Sequence, residues 1–156
     1  MRWKLPLLGA MLTAAAITRP AAAATPDDAC SFLTAAQVSS ALGTAVAAGT
    51  YVTPTSRITC TWNATRSGGG TVTLHVQSAA SYDAGKRLAS LASASAVTSA
   101  SGIGDDAYYF TSGTLSGLLV KKGMLAFKVA IYVHNLPAAQ QQAIERMLAL
   151  QVAQEL

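Results

Sequence analysis

The 156-residue chain is 51% hydrophobic and only 12% charged, enough for one domain with one core and too poor in charge to track a phosphate backbone. Its formal charge of +4 overstates the folded part, because Arg2, Lys4 and Arg19 lie in an N-terminal targeting segment and leave eight basic residues against seven acidic ones. That balance argues against a nucleic-acid partner.

Arg2 and Lys4 precede a short apolar run, Leu5 to Ile17, and small residues follow it. This is the pattern of a secretory signal peptide, with Ala22 and Ala24 as the small residues before cleavage. The expected organisation is a signal peptide over 1–24 and a single domain over 25–156. The apolar run falls short of the about 20 residues that a membrane span needs. No membrane span is expected after cleavage, and the expected compartment is periplasmic or extracellular.

Two cysteines, Cys30 and Cys60, remain in the mature chain. Asp27, Asp28 and Ala29 stand before Cys30, where a lipoprotein signal would place small uncharged residues. A catalytic thiolate would need a basic neighbour and a reducing compartment. Export favours oxidation, and only one pairing exists, so a structural Cys30–Cys60 disulfide is expected.

A helix follows Cys30 in SFLTAAQVSSALG, with Thr34 as N-cap, Gln37 closing a capping box, Leu33 and Val38 as a hydrophobic staple, and Gly43 as the stop. Thr44 to Val52 is read as a strand ahead of Pro54, and Arg57 to Ala64 as a second, with Ile58, Cys60 and Trp62 alternating to one face. After a turn at Gly68 to Gly70, TVTLHVQ sends Val72, Leu74 and Val76 inward and Thr71, Thr73, His75 and Gln77 outward. Ser81 is read as the N-cap of a helix through YDAGKRLASLASA, with Tyr82, Leu88, Leu91 and Ala92 as its apolar stripe. Gly102 and Gly104 then mark a turn before a strand at Ala107 to Phe110. The run LSGLLVKKGMLAFKVAIYV reads as a hairpin around Lys121-Lys122-Gly123. A last helix begins near Pro137 and ends at about Glu155, with Ile144, Met147, Leu148 and Val152 as its buried stripe.

The resulting order is helix, three strands, helix, three strands, helix. Strands joined by hairpins with few crossovers predict an α+β fold: an antiparallel sheet of about five to six strands with two to three helices packed on one face.

The succession CSFLTAAQVSSALG, TCTWN, VTLHV and SGIGDDAYYF resembles small exported proteins and lipoproteins of the actinobacterial type that carry a cysteine-bridged α+β domain of unknown function. The likeness runs over residues 29 to 134. It implies the same fold and compartment. The chain departs from that group in lacking a lipid-attachment cysteine, and the resemblance carries over no catalytic residue.

Chemistry-bearing residues are sparse. The chain has two histidines, His75 and His134, and no HExxH, calcium loop, phosphate loop or dinucleotide fingerprint, so no metal and no cofactor are expected. Asp105 and Asp106 are adjacent, and neighbours on an extended chain point apart, which suits turn capping better than a shared acid–base site. The outward sheet face remains, with Tyr132, His75, Lys128 and Thr73 as candidate ligand-binding residues. The favoured expectation is a non-enzymatic binding or accessory protein for a protein or glycan of the cell envelope, possible enzyme activity being left open. The alternative is a small exported hydrolase with a histidine general base.

Overall fold

The computed structural model describes residues 27–92, 95–112 and 115–156. The expected signal segment, 1–24, lies outside them. A 3-10 turn, Ala29–Ser31, leads into helix α1 (Ala35–Leu42), and strands β1 (Thr50–Thr53), β2 (Ser56–Asn63) and β3 (Thr71–Ser78) follow. Helix α2 (Ala79–Leu91) connects them to β4 (Ser95–Ser99), β5 (Asp106–Ser112), β6 (Leu115–Lys122) and β7 (Leu125–Tyr132), and helix α3 (Ala138–Glu155) ends the chain. One seven-stranded sheet results, in the order β1-β2-β3-β7-β6-β5-β4, with every neighbouring pair antiparallel.

The fold is α+β, but three parts of the expectation fail. The sheet has seven strands and not five to six, and the order is helix, three strands, helix, four strands, helix. The additional strand is β4, whose sequence SAVTS lacks the alternating large apolar residues that mark a strand. The helices also do not share one face. Antiparallel pairing from β3 through β7, β6 and β5 makes β3 and β4 run in the same direction, so their connection must cross over the sheet. Helix α3 already covers the inner face of β6 and β7, and α2 takes the outer face.

The inner core is built as the alternation predicts. Val72, Leu74 and Val76 of β3, Phe127, Val129 and Ile131 of β7, and Cys60 and Trp62 of β2 are buried against α1 and α3. Ile58 shares their side by alternation but is 43% exposed. Helix α1 carries the full capping box between Thr34 and Gln37 and ends at Gly43 with φ of 65°. The disulfide joins Cys30 to Cys60 across 30 residues and ties the entry of α1 to β2. Asp28 adds to the tie by accepting from the Tyr51 hydroxyl at 2.8 Å and the Arg57 guanidinium at 3.0 Å.

Helix α3 buries Leu148 and Val152 of its expected stripe and packs Ile144 partly buried against the core, but the stripe turns away from Met147 toward Glu145, Ala149 and Ala153. Glu145, Leu148, Ala149, Val152 and Ala153 are buried, whereas Met147 is exposed. Helix α2 departs further. Its N-cap is Ser78, three residues before the expected Ser81, and Tyr82 is its one buried residue. Leu88 and Leu91 are 69% and 83% exposed. Polar contacts supply much of the docking. Lys86 pairs with Asp106 at 2.7 Å, Lys121 pairs with Asp83 at 2.8 Å, and the Tyr82 hydroxyl donates to Asp106 at 3.0 Å. The rings of Tyr82 and Tyr108 lie 5.2 Å apart, tilted by 59°.

Asp105 and Asp106 do separate work: Asp105 accepts from the backbone N–H of Gly123 in the β6–β7 turn, while Asp106 holds α2. The preceding Gly102-Ile103-Gly104 turn inserts Ile103 into the core, with Gly104 at φ of 59° pressed against the backbone of β6. A methyl group at Gly104 would meet the Lys121 carbonyl oxygen and stand 2.8 Å from Val120 Cγ1. Gly104→Ala is expected to destabilise the protein by about 2–4 kcal/mol, against about 1 kcal/mol for Gly43→Ala, which has positive φ but open space; urea unfolding of the two variants measures the difference. The same assay on a Cys30→Ala/Cys60→Ala variant should show a loss of about 3–4 kcal/mol from reopening the 30-residue loop.

Candidate functional site

Helix α2 closes only half of the outer face. Under it, Tyr108 of β5, Leu119 of β6 and Ala126 of β7 are buried with Tyr82. Toward β1 no helix among the described residues lies over the face, and its rows can be read from the register. Thr59 stands opposite His75, and His75 opposite Lys128. In the next row Thr61, Thr73 and Ala130 are neighbours, and beyond them Asn63, Thr71 and Tyr132.

The four candidate residues are therefore brought onto one surface. Thr73, His75 and Lys128 lie in adjacent rows, each partly exposed, and Tyr132 projects from the sheet end at 64% exposure. His75 Nδ1 lies 2.8 Å from the Thr59 hydroxyl. Partial burial lowers the His75 pKa, and the neighbouring Lys128 charge lowers it further. The imidazole is thus held toward its neutral form, able to donate on one nitrogen and accept on the other. His134, the second expected base, is not beside it; it sits in the turn after β7, next to Tyr132.

Two hollows flank Tyr132 and His134 at this end of the sheet. One, of about 270 Å³, is roofed by the Gly68 to Gly70 loop and lined by Asn63, Arg66 and Thr71. The other, of about 340 Å³, continues along Val133 to Leu136 as far as Gln141 of α3. A smaller cleft of about 190 Å³ lies where α2 meets the open half, with Tyr108, Phe110 and Leu119 as its apolar wall and Lys128 at its margin. Thr71 is placed on the outward face by its alternation, whereas Arg66 and Asn63 escaped sequence reasoning. Their signal is the three-glycine run just after Arg66, which lets backbone approach the neighbouring strand closely.

Beneath the sheet, Glu145 is fully buried. Its Oε1 accepts from Ser116 Oγ at 3.3 Å and from Gln141 Nε2 at 3.4 Å, and Gln141 Nε2 also donates to the Ile131 carbonyl at 2.8 Å. Glu145 Oε2 has no partner among the described residues. Burial pushes its pKa from 4.5 up to about 7, against the opposing pull of Gln141, Ser116, the Ile131 backbone and Lys128. Among the described residues there is no group of three or more His, Cys, Asp or Glu side chains arranged to hold a metal ion.

The raised Glu145 pKa has a definite sign in stability. The folded state keeps its proton over a range in which the unfolded chain releases it, so the contribution is complete below pH 4.5 and is lost as pH rises through about 7. The shift corresponds to about 3 kcal/mol at 1.36 kcal/mol per unit. Thermal unfolding followed from about pH 4 to about pH 8 should show wild type losing stability relative to Glu145→Gln, with the gap opening across that window. A pH-independent gap would place the ionisation elsewhere.

No protein-family model matches the chain, and no curated protein or solved structure matches it either, so the site is read from its own geometry.

Proposed function

We propose that the protein is a non-enzymatic exported binding module, in the periplasm or outside the cell, that recognises a protein or glycan of the cell envelope through the uncovered half of its outer sheet face. A place among the exported α+β domains of unknown function is part of the same reading. The observation that carries it is the unequal coverage of one face. Helix α2 buries Tyr108, Leu119 and Ala126, while Thr73, His75, Lys128 and Tyr132 are left together with no covering element among the described residues.

Such a surface combines an exposed aromatic with hydrogen-bonding groups and little charge, the composition favoured at recognition sites. The Cys30–Cys60 disulfide supports an oxidising compartment. No helix among the described residues is long and apolar enough to cross a membrane. For the hydrolase alternative, a histidine base would need a nucleophile and an orienting group in reach. Among the described residues the side-chain partner of His75 is Thr59, itself on a strand interior, which favours binding over catalysis.

The test is capture from an envelope extract on immobilised protein, compared with Tyr132→Ala/His75→Ala. Because both side chains lie on the uncovered surface, the double variant should keep its melting temperature within a few degrees and lose affinity by about tenfold or more. Undiminished capture by the folded variant would rule out this face. Ester or polymer hydrolysis abolished by His75→Ala would establish the alternative.

A further inference from the structure

The hollow beside Tyr132 has a more definite chemistry than the rest of the face. Its roof is fixed in place. The Ala64 N–H donates to the Gly70 carbonyl at 2.9 Å, the Gly69 N–H to Arg66 at 3.2 Å, and the Thr65 N–H to Ala45 at 2.9 Å. Gly70 lies so close to β7 that a Cβ there would stand 2.9 Å from the Tyr132 carbonyl oxygen. The loop and the strand end form one built wall.

The polar side chains around that wall point to one kind of ligand. Thr71 Oγ1 donates to Asn63 Oδ1 at 2.9 Å, so the Asn63 amide nitrogen is left to donate outward. The three ion pairs among the described residues engage Arg57, Lys86 and Lys121. Arg66 and His134, both exposed, have no carboxylate partner among those residues. Among the described residues, no acidic side chain lines the hollow. The surroundings therefore offer donors and a positive charge, and call for a ligand rich in acceptors that carries a negative charge.

Tyr132 adds shape. Its exposed ring stands between two adjoining hollows of about 270 Å³ and 340 Å³, a flat apolar surface with a hydrogen-bonding edge and room on either side. We propose that this end of the sheet is a subsite for an acidic saccharide: one sugar ring stacks on Tyr132, its carboxylate meets Arg66, its hydroxyls accept from Asn63, and the next unit enters the second hollow. The inference rests on the binding-module reading and narrows the ligand to a carboxylated glycan chain.

The probe is trigalacturonate, with cellotriose as a neutral oligosaccharide of the same length, titrated against the whole protein by calorimetry. Saturable binding of trigalacturonate, about tenfold or more tighter than cellotriose and weaker at high salt, is the expected result. Arg66→Ala should erase the preference for the acid, Tyr132→Ala should weaken both ligands, and Tyr132→Phe should restore stacking. Equal affinity for the two oligosaccharides, or no saturation at millimolar concentration with the protein folded, would overturn the subsite. Capture of an envelope protein that is lost in Tyr132→Ala/His75→Ala, by a protein that ignores trigalacturonate, would overturn the saccharide inference and leave the binding face standing.

Discussion

The burial of one tyrosine decides which part of the outer sheet face stays open. Tyr82 is the only fully buried residue of α2, and its hydroxyl is satisfied by Asp106, whose own carboxylate is held by Lys86. The Lys86 hydrogen bonds keep Asp106 below its ordinary pKa despite burial, and burial raises the Tyr82 hydroxyl far above the usual phenol range. A charged acceptor facing a neutral donor is the stable arrangement. The flanking ion pairs are about one-quarter to one-half exposed, so solvent screens them and each adds little beyond orientation. Register follows from the tyrosine pair: Tyr82 meets Tyr108, and α2 does not reach the β1 side of the face.

The inner face follows a different rule, and it is nearly saturated. Helix α3 approaches β6 and β7 through Leu148 and Val152, with Ala149 and Ala153 small enough to let the helix lie close. Glu145 interrupts this stripe with a carboxyl whose second oxygen has no partner among the described residues, an arrangement that favours the protonated acid. With α3 in place over the central strands, the β3–β4 crossover has the outer face available to it.

Much of the inner face was legible because its strands carry the signal that periodicity reads. RITCTWN and TVTLHVQ alternate cleanly, and Cys60, Trp62, Val72, Leu74 and Val76 are buried accordingly. The capping box of α1 was equally plain, since it depends on two residues three apart. The second face was obscured. In β6 the neighbours Leu118, Leu119 and Val120 are all buried, and in β5 so are Ala107 and Tyr108. Continuous apolar runs of this kind mean burial on both faces, and they were the available clue that a helix lay outside. The stripe of α2 misled because Leu88 and Leu91 have helical spacing yet face solvent, while its docking uses Asp83 and Lys86. The four candidate site residues share one face, as the alternation of β3 and β7 required. Arg66 and Asn63 belong to the same region through a β2–β3 turn whose placement depends on tertiary contacts with β7.

An uncovered antiparallel face is by itself ordinary, and threonine-rich strands tolerate water well. The edges of this sheet are short as well: β1 has four residues, an irregular register and Pro54 beyond it, and β4 has five. Short or irregular edges discourage pairing with further strands. A side-on partner is therefore less suited to the molecule than one that lies across the face. On that face Tyr132 stands apart from its row neighbours Asn63 and Thr71, which are polar and joined to each other, whereas its ring is exposed beside Arg66 and His134, which have no carboxylate partner among the described residues. A solvated sheet needs no aromatic at such a position, and none of the inner packing would change without it. Under the proposed binding role, Tyr132 is the residue that meets the ligand, and the built loop beside it sets the geometry of that meeting.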